Sequence, residues 1–267
     1  MEKKDPDKTR GVVRKKYSEI AKGDSRECCT MPVSCCGEPL VPLESLTTAI
    51  GYSQEQLASV PQGANMGLGC GNPLAIASLK KGEPIVDLGS GGGFDCFLAA
   101  KQVGETGKVI GVDMTAEMVS KARDNAAKGG YSNVEFRLGE IEHLPVADGT
   151  ADVIISNCVI NLSPEKVHVF REAFRILKPG GRLAITDVVA SAPLPPEFKN
   201  DSTLLSGCIA GAATIEELNK MLQEVGFTDI QICPLDKSRM LIKDWFPDLN
   251  LENYVVSATI EATKPLT

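Results

Sequence analysis

The chain has 267 residues, enough for one large domain or a medium domain with an appendage. Its 28 Lys and Arg against 35 Asp and Glu leave a net charge of −7, so no basic excess exists to hold a phosphate backbone, which argues against nucleic acid as a partner. Hydrophobic content of 43% suits a packed core, and no apolar run approaches the roughly 20 residues of a membrane span. The first 16 residues are dense in Lys, Arg and Asp and lack the apolar stretch of a secretion signal, so the expected location is the cytoplasm. Only two His are present, which disfavours a His-centred relay or metal site. Nine Cys, an odd number without a secretion signal, suggest thiols kept reduced for a chemical purpose and not a disulfide framework.

Three regions differ in texture. Residues 1–72 are polar and helix-like, with a Cys-rich loop holding Cys28, Cys29, Cys35 and Cys36. Val12, Val13, Tyr17 and Ile20 fall at helical spacing and predict a helix over 11–22; Ser53 is an acceptable N-cap for a short helix to 59. Residues 73–190 alternate between strand and helix patterns. Strands are expected at 84–88, 108–112, 134–138, 151–156 and 182–187, and helices at 94–103, 116–128 and 164–176. Val153, Ile154 and Ile155 form the continuous apolar run of a strand buried on both faces. Such alternation predicts an α/β fold with a doubly wound, mostly parallel sheet. Residues 191–267 begin with a linker containing Pro193, Pro195 and Pro196. A helix at 215–225 and strands at 228–233 and 254–262 are expected to complete the sheet, while 236–250 is ambiguous.

The first strand runs into Asp87-Leu-Gly89-Ser-Gly91-Gly92-Gly93-Phe94-Asp95. Glycines here permit a tight turn and a close approach of backbone to ligand. The spacing D-x-G-x-G-x-G differs from the G-x-G-x-x-G of nicotinamide enzymes. Asp87 at the strand end repels a pyrophosphate and attracts an ammonium, which points to S-adenosylmethionine (SAM), a ribose-bearing ligand with an amino-acid tail. Asp113, 26 residues further on, ends the second strand where a carboxylate accepts from ribose hydroxyls, with Met114 beside it. After the third strand, Glu140 is expected to meet the adenine amino group, and Ile141 its ring. Gly89, Gly91 and Asn157 complete the expected cofactor contacts.

The thiols are not equivalent. Cys158 follows the fourth strand, at the carboxyl edge of the sheet beside the cofactor crevice. Cys70 lies in the glycine loop Gly67-Leu-Gly-Cys-Gly-Asn-Pro73, and Cys208 lies between Gly207 and Gly211; small neighbours permit close approach at both. Cys96 and Cys233 are expected to be small buried hydrophobes. The adjacent pairs at 28–29 and 35–36 lack the C-x-x-C spacing that suits zinc. His143 and His168 are expected at the surface, Trp245 in C-terminal packing, and Tyr17 closing over the cofactor.

The segments Leu68-Gly-Cys-Gly-Asn-Pro73, Asp87-Leu-Gly-Ser-Gly-Gly-Gly-Phe-Asp-Cys96, Gly111-Val-Asp-Met-Thr115, Arg137-Leu-Gly-Glu-Ile-Glu142 and Ser156-Asn-Cys-Val-Ile-Asn-Leu-Ser-Pro164, with Cys208, resemble the microbial arsenite methyltransferases. The core from about 75 to 190 resembles the class I SAM-dependent methyltransferases. That resemblance implies a Rossmann-like sheet of seven strands with one antiparallel edge. It also implies that Cys70, Cys158 and Cys208 hold arsenic, as catalytic residues and as ligands of the arsenic(III) substrate. A further N-terminal cysteine of the family falls among four candidates here. The implied substrate is arsenite or its thiol conjugate, and the implied resetting partner is a thiol reductant such as thioredoxin or glutathione.

Residue chemistry agrees with this expectation. Trivalent arsenic is soft and thiophilic, and soft thiolates select such centres. Its lone pair attacks a methyl without losing a proton, so no general base is needed, which fits the scarcity of His. Two alternatives stay open at this level. One is a methyltransferase for a small organic acceptor such as a quinone precursor; the other is a non-catalytic, thiol-based metalloid-binding protein.

Overall fold

The computed structural model describes residues 5–23 and 42–267, so the expectations for Cys28, Cys29, Cys35 and Cys36 lie outside the described residues. Helix α1 (Pro6–Lys22) begins at Pro6 and not at 11, because Asp5 caps it through the Asp7 amide and Pro6 is preset for a first turn. It stops at Gly23, which takes the left-handed conformation at φ 74°. Three short helices follow, α2 (Leu43–Ala49), α3 (Gln54–Ala58) and α4 (Leu74–Ala77), and Ser53 and Gln56 form a capping box on α3.

The alternating core then appears as expected: β1 (Pro84–Leu88), α5 (Phe94–Val103), β2 (Lys108–Asp113), α6 (Ala116–Gly129), β3 (Val134–Leu138), β4 (Ala151–Asn157), α7 (Lys166–Ile176) and β5 (Leu177–Ala190). Strand β5 is longer than the predicted 182–187. Leu177 pairs with Ala151 and a bulge follows, so the Pro179-Gly180-Gly181 stretch bends within the strand instead of preceding it. The chain ends through α8 (Pro196–Asn200), α9 (Ser202–Ser206), α10 (Ile215–Val225), β6 (Thr228–Pro234), α11 (Ser238–Trp245) and β7 (Val255–Thr263). Thr214 and Glu217 box the start of α10, and Gly226 stops it. The ambiguous stretch 236–250 thus contains helix α11, which buries Ile242.

The seven strands are ordered β3-β2-β1-β4-β5-β7-β6. Pairing is parallel from β3 to β5, and β7 is antiparallel to both β5 and β6. The reversed strand is therefore one place in from the edge, and β6 is outermost. This also corrects the expectation for Cys233, which is exposed because alternate residues of the edge strand face solvent.

Successive core residues of the central strands point to opposite faces. Ile85, Val109, Val153 and Ile155 pack with Phe97, Leu74 and Ala122, under α4, α5 and α6. Val86, Ile110 and Ile154 pack with Phe170, Ile176 and Leu222, under α7 and α10. A third apolar cluster lies over the carboxyl ends of the strands. It joins Val13 of α1 to Leu204, Ile242 and Val255, encloses Cys70, Cys158 and Cys208, and takes in Trp245 as packing. Among the described residues no helix is long and apolar enough to cross a membrane. Ile154 has no exposed surface. Ile154→Ala is expected to lower unfolding stability by about 2–5 kcal/mol in a urea titration with unchanged slope; a loss below about 1 kcal/mol would mean that β4 is not tightly covered.

Candidate active site

Strand order reverses between β1 and β4, so the loops leaving their carboxyl ends diverge and open a crevice. It encloses about 1090 Å³ including its mouth, room for a ligand of nucleoside size. The glycine turn after β1 forms its floor. Gly89 and Ser90 donate to the Val112 carbonyl at 2.8 and 3.1 Å, which ties the turn to β2. Gly89 sits at φ 72°, and a Cβ there would come within 2.4 Å of Val159, so only glycine fits. Asp113 accepts from the Gly91 amide at 3.0 Å and from the Thr115 amide at 2.8 Å, so it orients the turn as well as lining the crevice. Met114 and Ile141 line it too.

Asp87 and Asp95 form a buried acidic wall. Burial, and then the neighbouring Asp95 charge, hold the Asp87 carboxyl well above its usual range, while the Cys96 thiol donates to it at 3.2 Å. Burial pushes Asp95 up to about 6, against the hydrogen bonds it accepts from Tyr52 Oη at 2.6 Å and Asn157 Nδ2 at 3.4 Å. Neither carboxylate has a basic side chain among its stabilising neighbours. Ser90 Oγ, buried in the same crevice, has no hydrogen-bond partner. A wall of unpaired acids beside an orphaned hydroxyl suits a ligand that is both cationic and polar. Cys96 is buried as expected, with a polar contact added.

One expected contact moves. Glu140 does not line the crevice but pairs with Arg14 at 2.8 Å and Arg10 at 3.5 Å on α1. Glu142, two residues on, does line it and is 4% exposed, accepting from Ser163 Oγ at 2.6 Å and Arg10 Nε at 3.2 Å. The two glutamates flank Ile141 in sequence, and which of them turns inward is decided by α1, which no local pattern reports. Arg10 also meets Glu165 at 2.5 Å, so α1 is pinned across the crevice mouth. Tyr17 lines the crevice, as expected, and donates to the Ser206 carbonyl at 3.2 Å. His143 and His168 are exposed.

The three singled-out thiols gather at one end of this crevice, and all are buried. Cys158 lines the crevice directly, while Cys70 and Cys208 lie behind it. The sulfurs of Cys70 and Cys158 and a carboxylate oxygen of Asp187 all lie within 4.8 Å of one another. Cys208 Sγ donates to the Cys158 carbonyl at 2.8 Å. Cys158 and Cys208 hold left-handed backbones, φ 59° and 63°, a conformation uncommon outside glycine and one that tertiary contacts must sustain. Asn161 helps to supply them by donating to the Cys208 carbonyl at 3.2 Å. Burial pushes the Cys70 thiol up. At Cys208 the bond to Cys158 and then burial do the same. At Cys158 the bond from Cys208 lowers the value, but the bond to Cys70 and burial outweigh it. All three are therefore protonated at neutral pH.

Asp187, at the end of the expected fifth strand, was legible only as a strand residue. It is 1% exposed and accepts from Val188 N at 2.8 Å and Asn161 N at 3.3 Å. Burial nevertheless pushes its carboxyl up to about 6.

The sheet order and the crevice at its switch point define a methyltransferase domain, and a family profile described as a methyltransferase domain matches residues 79–226. The arsenite methyltransferase of Halobacterium salinarum is 52% identical over 269 aligned residues, 98% of this chain and 68% of that one. That of Aquipseudomonas alcaligenes is 46% identical over 168 residues, 60% of this chain and 48% of its own length. The crystal structure of an arsenic(III) S-adenosylmethionine methyltransferase from Chlamydomonas reinhardtii superposes with a TM-score of 0.63 at 33% identity, covering 84% of this chain and 75% of that one. The chain belongs to the arsenite methyltransferase family. It spans about two thirds of the first relative's length and about half of the second's.

The raised Asp187 carboxyl has a definite sign in stability. Its folded value of about 6 exceeds the unfolded value of about 3.9, so the folded state binds the extra proton between these limits and stability falls as pH rises through them. Asp187→Asn cannot ionise. Its stability relative to wild type is expected to improve by up to about 3 kcal/mol between pH 4 and pH 7 in paired urea titrations. An unchanged difference would show that the carboxyl is not perturbed.

Proposed function

We propose that this protein transfers a methyl group from SAM to trivalent arsenic held by Cys70, Cys158 and Cys208. The observation that carries the proposal is the convergence of these thiols, 138 residues apart at their extremes, against a crevice whose other wall is acidic. The family's members act on arsenite, and the chain matches one of them almost from end to end.

When bound, SAM supplies an electrophilic methyl group on a sulfonium centre. Asp87 and Asp95 offer the unpaired negative charge that its cationic end needs, and Ser90 Oγ offers a free polar contact. Asp113, Met114 and Ile141 line the crevice, where Asp113 would face the ribose and Ile141 the base. Glu142, which lines the crevice in place of Glu140, would take the adenine-side role first expected of Glu140. Gly89 and Gly91 let the backbone approach.

The substrate is arsenite or its thiol conjugate. As each cysteine sulfur takes a bond to arsenic, the displaced hydroxide or thiolate leaves with the cysteine proton, so no protein base is needed. Three sulfurs leave the arsenic pyramidal with its lone pair free. The cup fixes the direction of that lone pair, and alignment of two reactants is worth about 7–11 kcal/mol of barrier. Transfer raises arsenic formally by two electrons. Closing a disulfide between two of the released cysteines returns those electrons, and a thiol reductant such as thioredoxin or glutathione reopens it.

Incubation with arsenite, SAM and a dithiol, followed by arsenic speciation, is expected to yield methylated arsenicals. Cys158→Ser is expected to lower the yield about a hundredfold or more while S-adenosylhomocysteine still binds in calorimetry. Undiminished methylation in that variant, or methylation of quinone precursors in place of arsenite by the wild type, would overturn the proposal.

A further inference from the structure

Asn157, the last residue of β4, was expected to orient the cofactor; it lines the crevice, and its side chain also bonds to several parts of the protein. Its Nδ2 donates to the Gly71 carbonyl at 2.8 Å, to Tyr52 Oη at 3.0 Å and to Asp95 Oδ2 at 3.4 Å. Its Oδ1 accepts from the Cys70 amide at 3.0 Å and from Thr186 Oγ1 at 3.2 Å. One amide thus touches the acidic wall on one side and the backbone of a thiol-bearing loop on the other. We infer that Asn157 makes the donor crevice and the thiol cup a single cooperative unit, so that a ligand at the acidic wall tightens the hold on trivalent arsenic at Cys70. The inference rests on the arsenic reading above and adds a positioning residue to it.

The direction follows from hydrogen-bond chemistry. The Cys70 N–H can only donate and the Gly71 carbonyl can only accept, so the two require one orientation of the amide, oxygen toward Cys70 and nitrogen toward Gly71. Asp95 reinforces that orientation only while it is an acceptor. Charge-assisted bonds are roughly twice as strong as neutral ones, so an ionised Asp95 holds the amide nitrogen and the Tyr52 hydroxyl firmly, whereas a protonated one competes as a donor. Two buried carboxylates side by side favour keeping a proton between them, and a cationic ligand removes that preference. The loop has no slack to absorb a movement of the amide. A Cβ at Gly69 would lie 2.6 Å from Asn157 Nδ2, and one at Gly71 would lie 2.8 Å from Thr186 Cβ. The Cys70 backbone therefore rests directly on the two side chains that the acidic wall and β5 control. A loop already ordered by one ligand costs the next ligand less entropy, and the coupling is reciprocal by thermodynamic necessity.

Calorimetry on the full chain tests this with arsenite as one probe and S-adenosylhomocysteine, which keeps the ammonium and cannot react, as the other. Arsenite is expected to bind the wild type at least about fivefold more tightly when S-adenosylhomocysteine is saturating, with the same factor in the reverse order. In Asn157→Leu the factor should fall toward one while each ligand alone still binds. Tyr52→Phe, which removes one hydroxyl and leaves the fold intact if Asn157→Leu does not, should lower the factor in the same direction. Hydrogen exchange gives a readout without arsenic: S-adenosylhomocysteine alone should slow exchange of the Cys70 amide in wild type and do so less in Tyr52→Phe. A wild-type factor of one, or a factor unchanged in both variants, overturns the inference. Failure of arsenite to bind the wild type at all would instead sink the arsenic reading, and the Cys70 amide would still decide this one, its lack of protection counting against it.

Discussion

The parallel pairing of β1 with β4, which sets Leu88 beside Ser156, governs the whole active end of the molecule. Ser156 Oγ reinforces it by donating to the Leu88 carbonyl at 3.0 Å. Because the chain departs from these neighbouring strands in opposite directions, the loops leaving their carboxyl ends diverge and a crevice opens between them. The same pairing puts Asp87 and Asn157 on adjacent strand ends. The glycine turn and the left-handed Cys158 follow directly from these two ends.

Two chemically opposite surfaces meet there. Asp87, Asp95 and Asp113 form a hard, acidic wall, while Cys70, Cys158 and Cys208 form a soft one, enclosed in apolar packing with Val13, Leu162 and Ile209. Burial acts on both in the same sense, disfavouring the charged form of acid and thiol alike. Asp187 lies behind the thiols, a hard donor beside Cys70 and Cys158.

Helix α1 closes this end through electrostatics more than through apolar contact. Arg10, 6% exposed, is shared among Glu142, Glu165, Asp7 and Glu140. An arginine so buried is stable only because several carboxylates solvate it, and loss of one central partner leaves an uncompensated charge, which typically costs 3–5 kcal/mol. The helix also contributes Val13 and Tyr17 to the crevice wall, so the N-terminal segment is part of the site and not an appendage to it.

The alternation of strand and helix patterns, the glycine turn, and the placing of Asp87 and Asp113 at strand ends were all legible in the sequence. Each is a local signal, hydrophobic period or turn chemistry. The inward turn of Glu142 in place of Glu140, the exposure of Cys233, the pinning by Arg10 and the approach of Asp95, Tyr52 and Asp187 were not. These depend on which side chains from distant segments arrive at the same place, and a one-residue difference in facing is set by the partner across the gap. The sequence by itself determined the elements, the order of chemistry along the chain and the family. Only the tertiary structure decided that Cys158 and the carboxylates of Asp87, Asp95 and Asp113 line one crevice with Cys70 and Cys208 packed behind it, because burial and hydrogen bonding between distant residues, such as Tyr17 and Ser206, exist only once the sheet has formed.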